Sequence, residues 1–350
     1  MSFASRPPYS KGQLDRAGRS LTNLEPRSEA YKEALKVVND WRTCHAYPLN
    51  TFKSTLRLKA GKYDGSFVAQ RLKRLPTIVD KLRRFPDMNL AQMQDIGGIR
   101  AVVNNIMDVE ALQREYKEKG RFTHELVKEK DYISDPKADG YRGVHLVFRY
   151  NNTLARNGLA HEYKGLAIEL QIRTQLQHTW ATAVETVGTL KGESFKTGRG
   201  GREWREFFAL VSSAFALVED RPVLGRHADM TSVDIYQAIK DLDLKLKVLE
   251  SIRGLSAAAQ VMHGDGYNGY YSIISLDTVN QRVRIYGFPK NQLDVATKEY
   301  AELEAHAGEG MDQVLVSAGD LKSLKVAYPN YFLDVRDFVE KVQVIIDVIS

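Results

Sequence analysis

The sequence predicts an α/β (α+β) fold: a mixed sheet flanked by helices, with a smaller C-terminal β-β-α-β-α unit. Three observations carry this. Short alternating runs, "GGIRAVVNNI" (97–106), "GVHLVFRY" (143–150) and "LAIELQIRT" (166–174), recur between segments of helical period. The last third carries its own pattern, "YYSIISLD" and "QRVRIYGF" around a turn at Thr278–Asn280, then a helical stretch, the strand "QVLVSA" and a closing helix. A chain of 350 residues with 43% hydrophobic content is long enough for two or three cores.

In chain order, residues 1–27 are polar, basic and proline-containing, and read as a loosely ordered segment. Helical patterns follow at about 28–46, 48–62 and 66–85, then the glycine-led strand at 97 and a charged helix over 108–119. The two strands at 143–150 and 166–174 are joined by a polar stretch, and a helix runs from Gln175 to about Leu190. "KGESFKTGRGGR" (191–202) is glycine-rich and basic and reads as a mobile loop. Helices at about 203–220 and 232–262 lead to the C-terminal unit, whose helices fall at about 290–307 and 334–348. The domain division is therefore 1–27, 28–222, a helical linker over 223–264, and 265–350.

Composition narrows the function classes. Cys44 is the single cysteine, so the sequence offers neither an intramolecular disulfide nor a cysteine-rich zinc site. "MSFASRPPYSKG" has no apolar signal core, no run approaches a membrane span, and the expected location is the cytoplasm, with no membrane partner. A formal net charge of +6 suits nucleotides or RNA, and is equally common on proteins that bind neither.

The chemistry-bearing residues concentrate on one sheet face. In "LAIELQIRT", Ile168, Leu170 and Ile172 point one way and Glu169, Gln171 and Arg173 the other. "GVHLVFRY" puts His145 and Arg149 opposite Val144, Leu146, Phe148 and Tyr150. Such a face can simply meet water. Asp95, two residues before Gly97-Gly98 and a strand, supplies an acid at a strand mouth. Together with Glu169 it is what a Mg²⁺ site for phosphates needs, though an acid there also serves as a turn residue or cap. "QRLKRLPTIVDKLRRF" packs Arg71, Lys73, Arg74, Lys81, Arg83 and Arg84 into one stretch, either a solvated basic helix face or cations converging on a triphosphate. In "KEKDYISDPKADGYRGVH", Lys130 and Lys137 flank a proline loop. Tyr141 follows Gly140 at a turn, where a ring can stack on a base or cap the sheet.

The ordered set "RLKRLPTIVDKLRRF", "DIGGIR", "PKADGYRGVH" and "IELQIRTQLQHTWA", within about 40–190, resembles the RelA/SpoT alarmone synthetase family. The resemblance implies a nucleotidyltransferase-like sheet over 28–222. It also implies a GTP pyrophosphokinase-like activity: transfer of the β,γ-diphosphate of ATP to the 3′-hydroxyl of GDP or GTP, giving (p)ppGpp and AMP. By motif position, Arg71 would grip adenine, and Lys73 and Lys81 would contact the ATP phosphates, with Arg84 on the same helix. Asp95 and Glu169 would hold Mg²⁺, with Glu169 also activating the acceptor hydroxyl. Tyr141 would stack on the acceptor base and His145 would sit near the acceptor phosphates, with Lys130 and Lys137 in the same loop and Gln171 and Arg173 on the floor. Toxic members that modify the 3′ end of tRNA, members that make adenosine alarmones, and a catalytically silent nucleotide sensor are the alternatives. An oligomer is compatible with all of these. The stretch between His145 and Glu169 is longer than the family pattern, which implies an inserted hairpin. No His-Asp hydrolase motif is recognisable in the N-terminal part. The C-terminal unit, with Tyr328, Tyr331 and Phe332 around Pro329, is expected to be a separate domain that modulates the synthetase.

Overall fold

A computed structural model describes residues 3–25, 28–118, 122–151, 159–190, 201–257, 260–263, 269–280, 282–308, 310–317, 321–332 and 334–349. The chain opens with α1 (Lys11–Asn23), α2 (Glu29–Thr43) and α3 (Ala46–Ala60), followed by β1 (Phe67–Leu72), α4 (Leu75–Arg84), β2 (Gly97–Val103) and α5 (Ile106–Lys117). Next come β3 (Glu125–Asp131), β4 (Val144–Arg149), the short α6 (Leu159–Glu162), β5 (Ala167–Thr174) and α7 (Gln175–Leu190). Helices α8 (Arg202–Val218), α9 (Ser232–Leu246) and α10 (Val248–Ala257) lead to β6 (Gln260–His263), β7 (Tyr271–Asp277) and β8 (Arg282–Phe288). The chain closes with α11 (Leu293–Ala305), β9 (Met311–Val316), α12 (Leu321–Ala327), a 3-10 turn at Pro329–Phe332, and α13 (Arg336–Asp347).

Among the described residues the strands form one nine-stranded sheet in the order β3-β4-β5-β2-β1-β9-β7-β8-β6. The pairs β2–β5 and β6–β8 are parallel and the others antiparallel. The sheet is thus mixed and flanked by helices, as the alternation predicts. The C-terminal strands do not make a sheet of their own. They extend the first one through β9, whose Val316 pairs with Arg71 at the edge of β1. The expected linker helices are likewise core elements: α8, α9 and α10 pack with α7 and α13 around Phe207, Phe208, Phe215 and Phe338.

Several local expectations change. Residues 11–23 are helical rather than loose. Ser10 accepts from the Gln13 amide while the Gln13 side chain bonds the Ser10 amide, a reciprocal cap that starts α1. The expected helix over 66–85 is a strand followed by a helix. Phe67, Ala69 and Arg71 alternate with Val68, Gln70 and Leu72 against β2, and Pro76 fits only the first turn of the helix that follows. The expected helix over 232–262 breaks at Lys247, which adopts a left-handed conformation (φ 52°) without a glycine to announce it, and ends in β6. Strand β3 and helix α12 were not expected. Of the expected inserted hairpin, residues 152–158 lie outside the described residues and 159–162 are α6; loop residues 191–200 also lie outside them.

One face of β1–β5 packs the main core, with Ile99, Ala101, Leu146, Phe148, Ile168, Leu170 and Ile172 against α2, α3 and α5. The hairpin strand β7 is buried on both faces from Tyr271 to Leu276, in agreement with the absence of an ionisable set on either face. On the other face of β1–β5 lie the polar side chains. The turn that delivers Tyr141 to that face depends on Gly140, at φ +97° and with its carbonyl accepting from Ser212 Oγ at 2.6 Å. A Cβ there would sit 2.9 Å from both Ser212 Cβ and Trp180 Cζ2. Gly165 also has positive φ (+86°), with nothing within 4 Å of a built Cβ. We therefore expect Gly140→Ala to lower stability in urea unfolding by about 2–3 kcal/mol, and Gly165→Ala by only about 1 kcal/mol. Equal losses would contradict the packing argument.

Candidate active site

Strand pairing builds the floor. Arg71 stands opposite Gly98, Ala69 opposite Arg100, Gly98 opposite Glu169, Arg100 opposite Gln171, and Gln171 opposite His145. These residues share one face because paired positions on neighbouring strands point the same way. Gly98 leaves the space beside Glu169 open. Lys130 pairs in register with His145 and continues the face outward, exposed.

The first cluster surrounds Asp95, two residues before β2. Lys73 Nζ donates to its Oδ2 at 2.9 Å, and Lys81 Nζ lies 2.9 Å from both oxygens. Lys73 follows β1 and its amide donates to the Ile96 carbonyl at 2.8 Å; Lys81 arrives from the last turn of α4. Burial pushes the Asp95 carboxyl up, but the two ammonium groups more than offset this and hold it at about 2. Burial lowers Lys73, with Asp95 opposing the shift.

The second cluster is a chain of hydrogen bonds. The Tyr141 hydroxyl lies 2.7 Å from His145 Nε2, His145 Nδ1 lies 3.0 Å from Glu169 Oε1, and Gln171 Nε2 donates to Glu169 Oε2 at 2.7 Å. These distances are met by an imidazole that carries its proton on Nδ1 and accepts at Nε2. Both Glu169 oxygens are thereby fixed, each with a lone pair to spare. Burial pushes Glu169 up, and its interactions with His145 and Gln171 together outweigh that, so its carboxyl is held below the usual range and is ionised at neutral pH. Lys137 lies over the rings of Tyr132 (4.5 Å) and Tyr141 (4.8 Å), which form an aromatic corner beside His145.

The third group consists of Arg71, Arg100 and Arg173. Burial lowers Arg100, and the neighbouring Arg71 adds to the effect. Burial and Arg100 together bring Arg173 down to about 9. Arg173 Nη2 also meets His178 Nδ1 at 2.5 Å. Glu185 on α7 is the carboxylate whose field favours all three guanidinium ions, and its Oε1 accepts from Asn330 Nδ2 at 3.3 Å. Clustered, partly desolvated arginines make a seat for an anion.

The structure thus brings Arg71, Lys73, Lys81, Asp95, His145, Glu169, Gln171, Arg173 and Tyr141 to one face, with Lys130 and Lys137 at its rim. Arg84 does not join the Asp95 cluster; it pairs with Asp80 at 2.8 Å on the outer side of α4. Tyr141 is half-buried by its bond to His145 rather than freely exposed. Sequence reasoning missed Arg100, Glu185 and His178. Arg100 was readable, since "GGIRAVV" alternates and puts it on the same face as Gly98.

The C-terminal unit borders this face. The Tyr328 hydroxyl donates to the Gln70 carbonyl (2.5 Å) and accepts from the Gln70 amide (2.9 Å). Tyr328 also closes a narrow gap lined by Ala69, Arg71, Arg100 and Gln171. Tyr331 lies under the Arg74 guanidinium at 5.9 Å, and Arg74 pairs with Asp312. Tyr328, Tyr331 and Phe332 share a core with Ala69, so the aromatic cluster both packs its own unit and seals β1.

Two carboxylates beside paired lysines, on a sheet face with clustered arginines, have the chemistry to hold a phosphate-bearing ligand. Residues 70–189 match the family model described as the region found in RelA / SpoT proteins. The chain is 34% identical over 118 residues to the GTP pyrophosphokinase YjbM of Bacillus subtilis (strain 168), covering 33% of this chain and 53% of that protein. It is 33% identical over 120 residues to the GTP pyrophosphokinase YwaC of the same organism, covering 32% and 52%. The chain thus spans about half the length of these curated relatives. Among solved structures, small alarmone synthetase 2 of Bacillus subtilis matches at 21% identity and TM-score 0.42, over 55% of this chain and 95% of that one. Small alarmone synthetase 1 of Bacillus subtilis bound to its product pppGpp matches at 23% identity and TM-score 0.42, over 50% and 89%. None of the described helices is long and apolar enough to cross a membrane.

The Asp95 pairing has a pH consequence. Its folded pKa of about 2 lies below the ordinary 3.8, so its contribution is complete above about pH 4 and is lost as pH falls toward 2. The stability gap between wild type and Asp95→Asn, followed by urea unfolding from pH 7 to pH 2, should be on the order of 2 kcal/mol at neutral pH and shrink on acidification. A gap independent of pH would mean the carboxylate is not held by the lysines.

Proposed function

We propose that this chain transfers the β,γ-diphosphate of ATP to the 3′-hydroxyl of GDP or GTP, releasing AMP. The observation that carries this reading is the placement of Asp95, held by Lys73 and Lys81, at the mouth of the face where His145 and Gln171 fix Glu169. Asp95 stands where an anion neutralises both lysines. On donor binding, the phosphates of ATP take over Lys73 and Lys81, and Arg71 and Arg100 receive the rest of the donor. The acceptor base lies against Tyr141, and Glu169 accepts the proton of the acceptor hydroxyl. Attack on the β-phosphorus requires alignment and charge neutralisation more than covalent work from the protein.

Asp95 and Glu169 are hard oxygen donors, ionised at neutral pH, the first just before β2 and the second on the neighbouring parallel strand β5. This donor set suits Mg²⁺, which takes one or two carboxylates and completes its shell with water and phosphate. Bound there, the metal would neutralise phosphate charge and favour a diphosphate held in line. The C-terminal unit restrains the enzyme in this reading, because Tyr328 and Tyr331 cover the donor side of the floor at Arg71, Arg74 and Arg100.

The decisive assay follows label from ATP in the presence of GDP, GTP, adenine nucleotides or bulk tRNA. Label on GDP or GTP is the expected result, and label on tRNA or on adenine nucleotides alone would replace the acceptor named above. Glu169→Gln should lower turnover by at least 10²-fold with an unchanged fold; wild-type turnover in that variant would remove Glu169 from catalysis. Tyr141→Ala should raise the acceptor KM roughly tenfold and leave the ATP KM nearly unchanged. Equal losses for both substrates would make the tyrosine structural. Tyr328→Ala combined with Tyr331→Ala should raise kcat/KM for ATP if these rings cover the donor side, and a lower value would contradict the restraint.

A further inference from the structure

Helix α4 carries Lys81, yet lacks a start of its own. Its N-cap residue is Arg74, with no side-chain cap, and its first two positions are Leu75 and Pro76. The Leu75 amide would be left without an acceptor by local sequence. It donates instead to Glu304 Oε1 at 3.1 Å, a carboxylate on α11 of the C-terminal unit, 229 residues along the chain. A carboxylate at a helix N-terminus satisfies an orphan N–H and opposes the positive end of the helix dipole.

The same carboxylate is held from other sides. Arg42 Nη1 on α2 donates to Oε2 at 2.5 Å, and the Tyr300 hydroxyl donates to Oε1 at 2.7 Å. Arg42 and Glu304 are 2% and 5% exposed, and the Arg42 guanidinium lies 5.0 Å from the centre of the Tyr300 ring. Burial this deep is tolerated only because the charges are paired and hydrogen-bonded. Arg74, immediately before α4, is gripped by the same unit through Asp312 and Tyr331. The other end of the helix places Lys81 on Asp95. A helix of ten residues is a rod of about 15 Å, so fixing one end fixes the direction of the other.

We infer that Glu304 is a positioning residue of the donor site: the C-terminal unit caps α4 in trans and thereby sets Lys81. This rests on the proposed role of Lys81 toward the donor phosphates. It gives the C-terminal unit two separable effects, covering the site through Tyr328 and Tyr331, and supporting it through Glu304. Removing the whole unit removes both, and also leaves Arg42 without this buried counter-ion. The truncated chain is therefore not a simply released enzyme.

The test uses the full-length chain and separates the cap from the buried ion pair. Arg42→Leu combined with Glu304→Gln removes the charges and keeps an acceptor for the Leu75 amide. Arg42→Leu combined with Glu304→Leu removes the acceptor as well. Hydrogen exchange at the first turn of α4 (Leu75, Thr77 and Ile78) should be roughly tenfold faster in the second variant than in the first, with β5 amides equal in the two. The ATP KM should rise about tenfold in the second variant only, at an unchanged acceptor KM. Equal α4 exchange in the two variants would overturn the capping role, and faster exchange with an unchanged ATP KM would overturn the link to Lys81. Exchange is read without turnover. If wild type moved no diphosphate from ATP to any acceptor, the functional reading would fall while the exchange comparison still decided the cap.

Discussion

Charge that leaves water must be paired, and this constraint organises the molecule. One face of the five-stranded half of the sheet collects Arg71, Lys73, Lys81, Arg100 and Arg173, with Asp95, Glu169 and Glu185 as their counter-ions. The three carboxylates offset only part of the charge of the five cations. The clearest case is Asp95, whose two oxygens take both lysines and whose pKa sits near 2 as a result. In the proposed function, the cationic excess left on this face would seat the donor phosphates. Lysine–phosphate contacts would then recover part of the energy of the lysine–aspartate contacts, so binding need not leave charge stranded.

The same constraint explains how the C-terminal unit is attached. Its strands extend the sheet past β1, where a free edge would otherwise expose backbone groups. The Tyr328 hydroxyl satisfies both the amide and the carbonyl of Gln70 on that edge, and Glu304 and Asp312 neutralise Arg42 and Arg74. The attachment therefore adds buried polar pairs to the apolar packing of α13 on α7 and α8 and of Tyr328, Tyr331 and Phe332 on β1. Lys53 on α3 adds to it, donating to the Ser317 carbonyl at 2.8 Å, with burial lowering its pKa to about 7. An attachment made of specific pairs is well defined in one geometry and costly to distort, which suits a unit that borders the polar face at Arg71 and Arg100.

The site was largely legible along each strand and illegible between elements. Alternation alone placed Glu169, Gln171 and Arg173 together, and His145 with them, because a period of two survives in a single sequence. The basic run 71–84 concealed a change of period: a reading based on charge density took it for one helix, although Ala69, Arg71 and Lys73 alternate and Pro76 marks the helix start. Arg100 was overlooked because two glycines before it drew attention to the turn rather than to the strand. Asp95 was visible as an acid at a strand mouth, but its two lysines come from different elements and meet only in the fold. Glu304 and Asp312 carried no local signal at all, and the aromatic cluster that includes Tyr328 gave no sign that its hydroxyl meets Gln70. Each acts on a residue more than two hundred positions away, and a glutamate near the end of a charged helix reads as a solvated side chain. The break at Lys247 was equally silent, since a lysine in left-handed conformation is chosen by the packing of α9 and α10 rather than by its own preference.

The account's central claim is an exchange of anions on Lys73 and Lys81. A crystal structure of the full-length chain with Mg²⁺ and a non-hydrolysable ATP analogue tests it most directly. The account predicts both ammonium groups on the phosphates of the analogue, Asp95 released from them, and Tyr328 displaced from Gln70. An analogue bound on this chain with both lysines still on Asp95 and Tyr328 in place would contradict it.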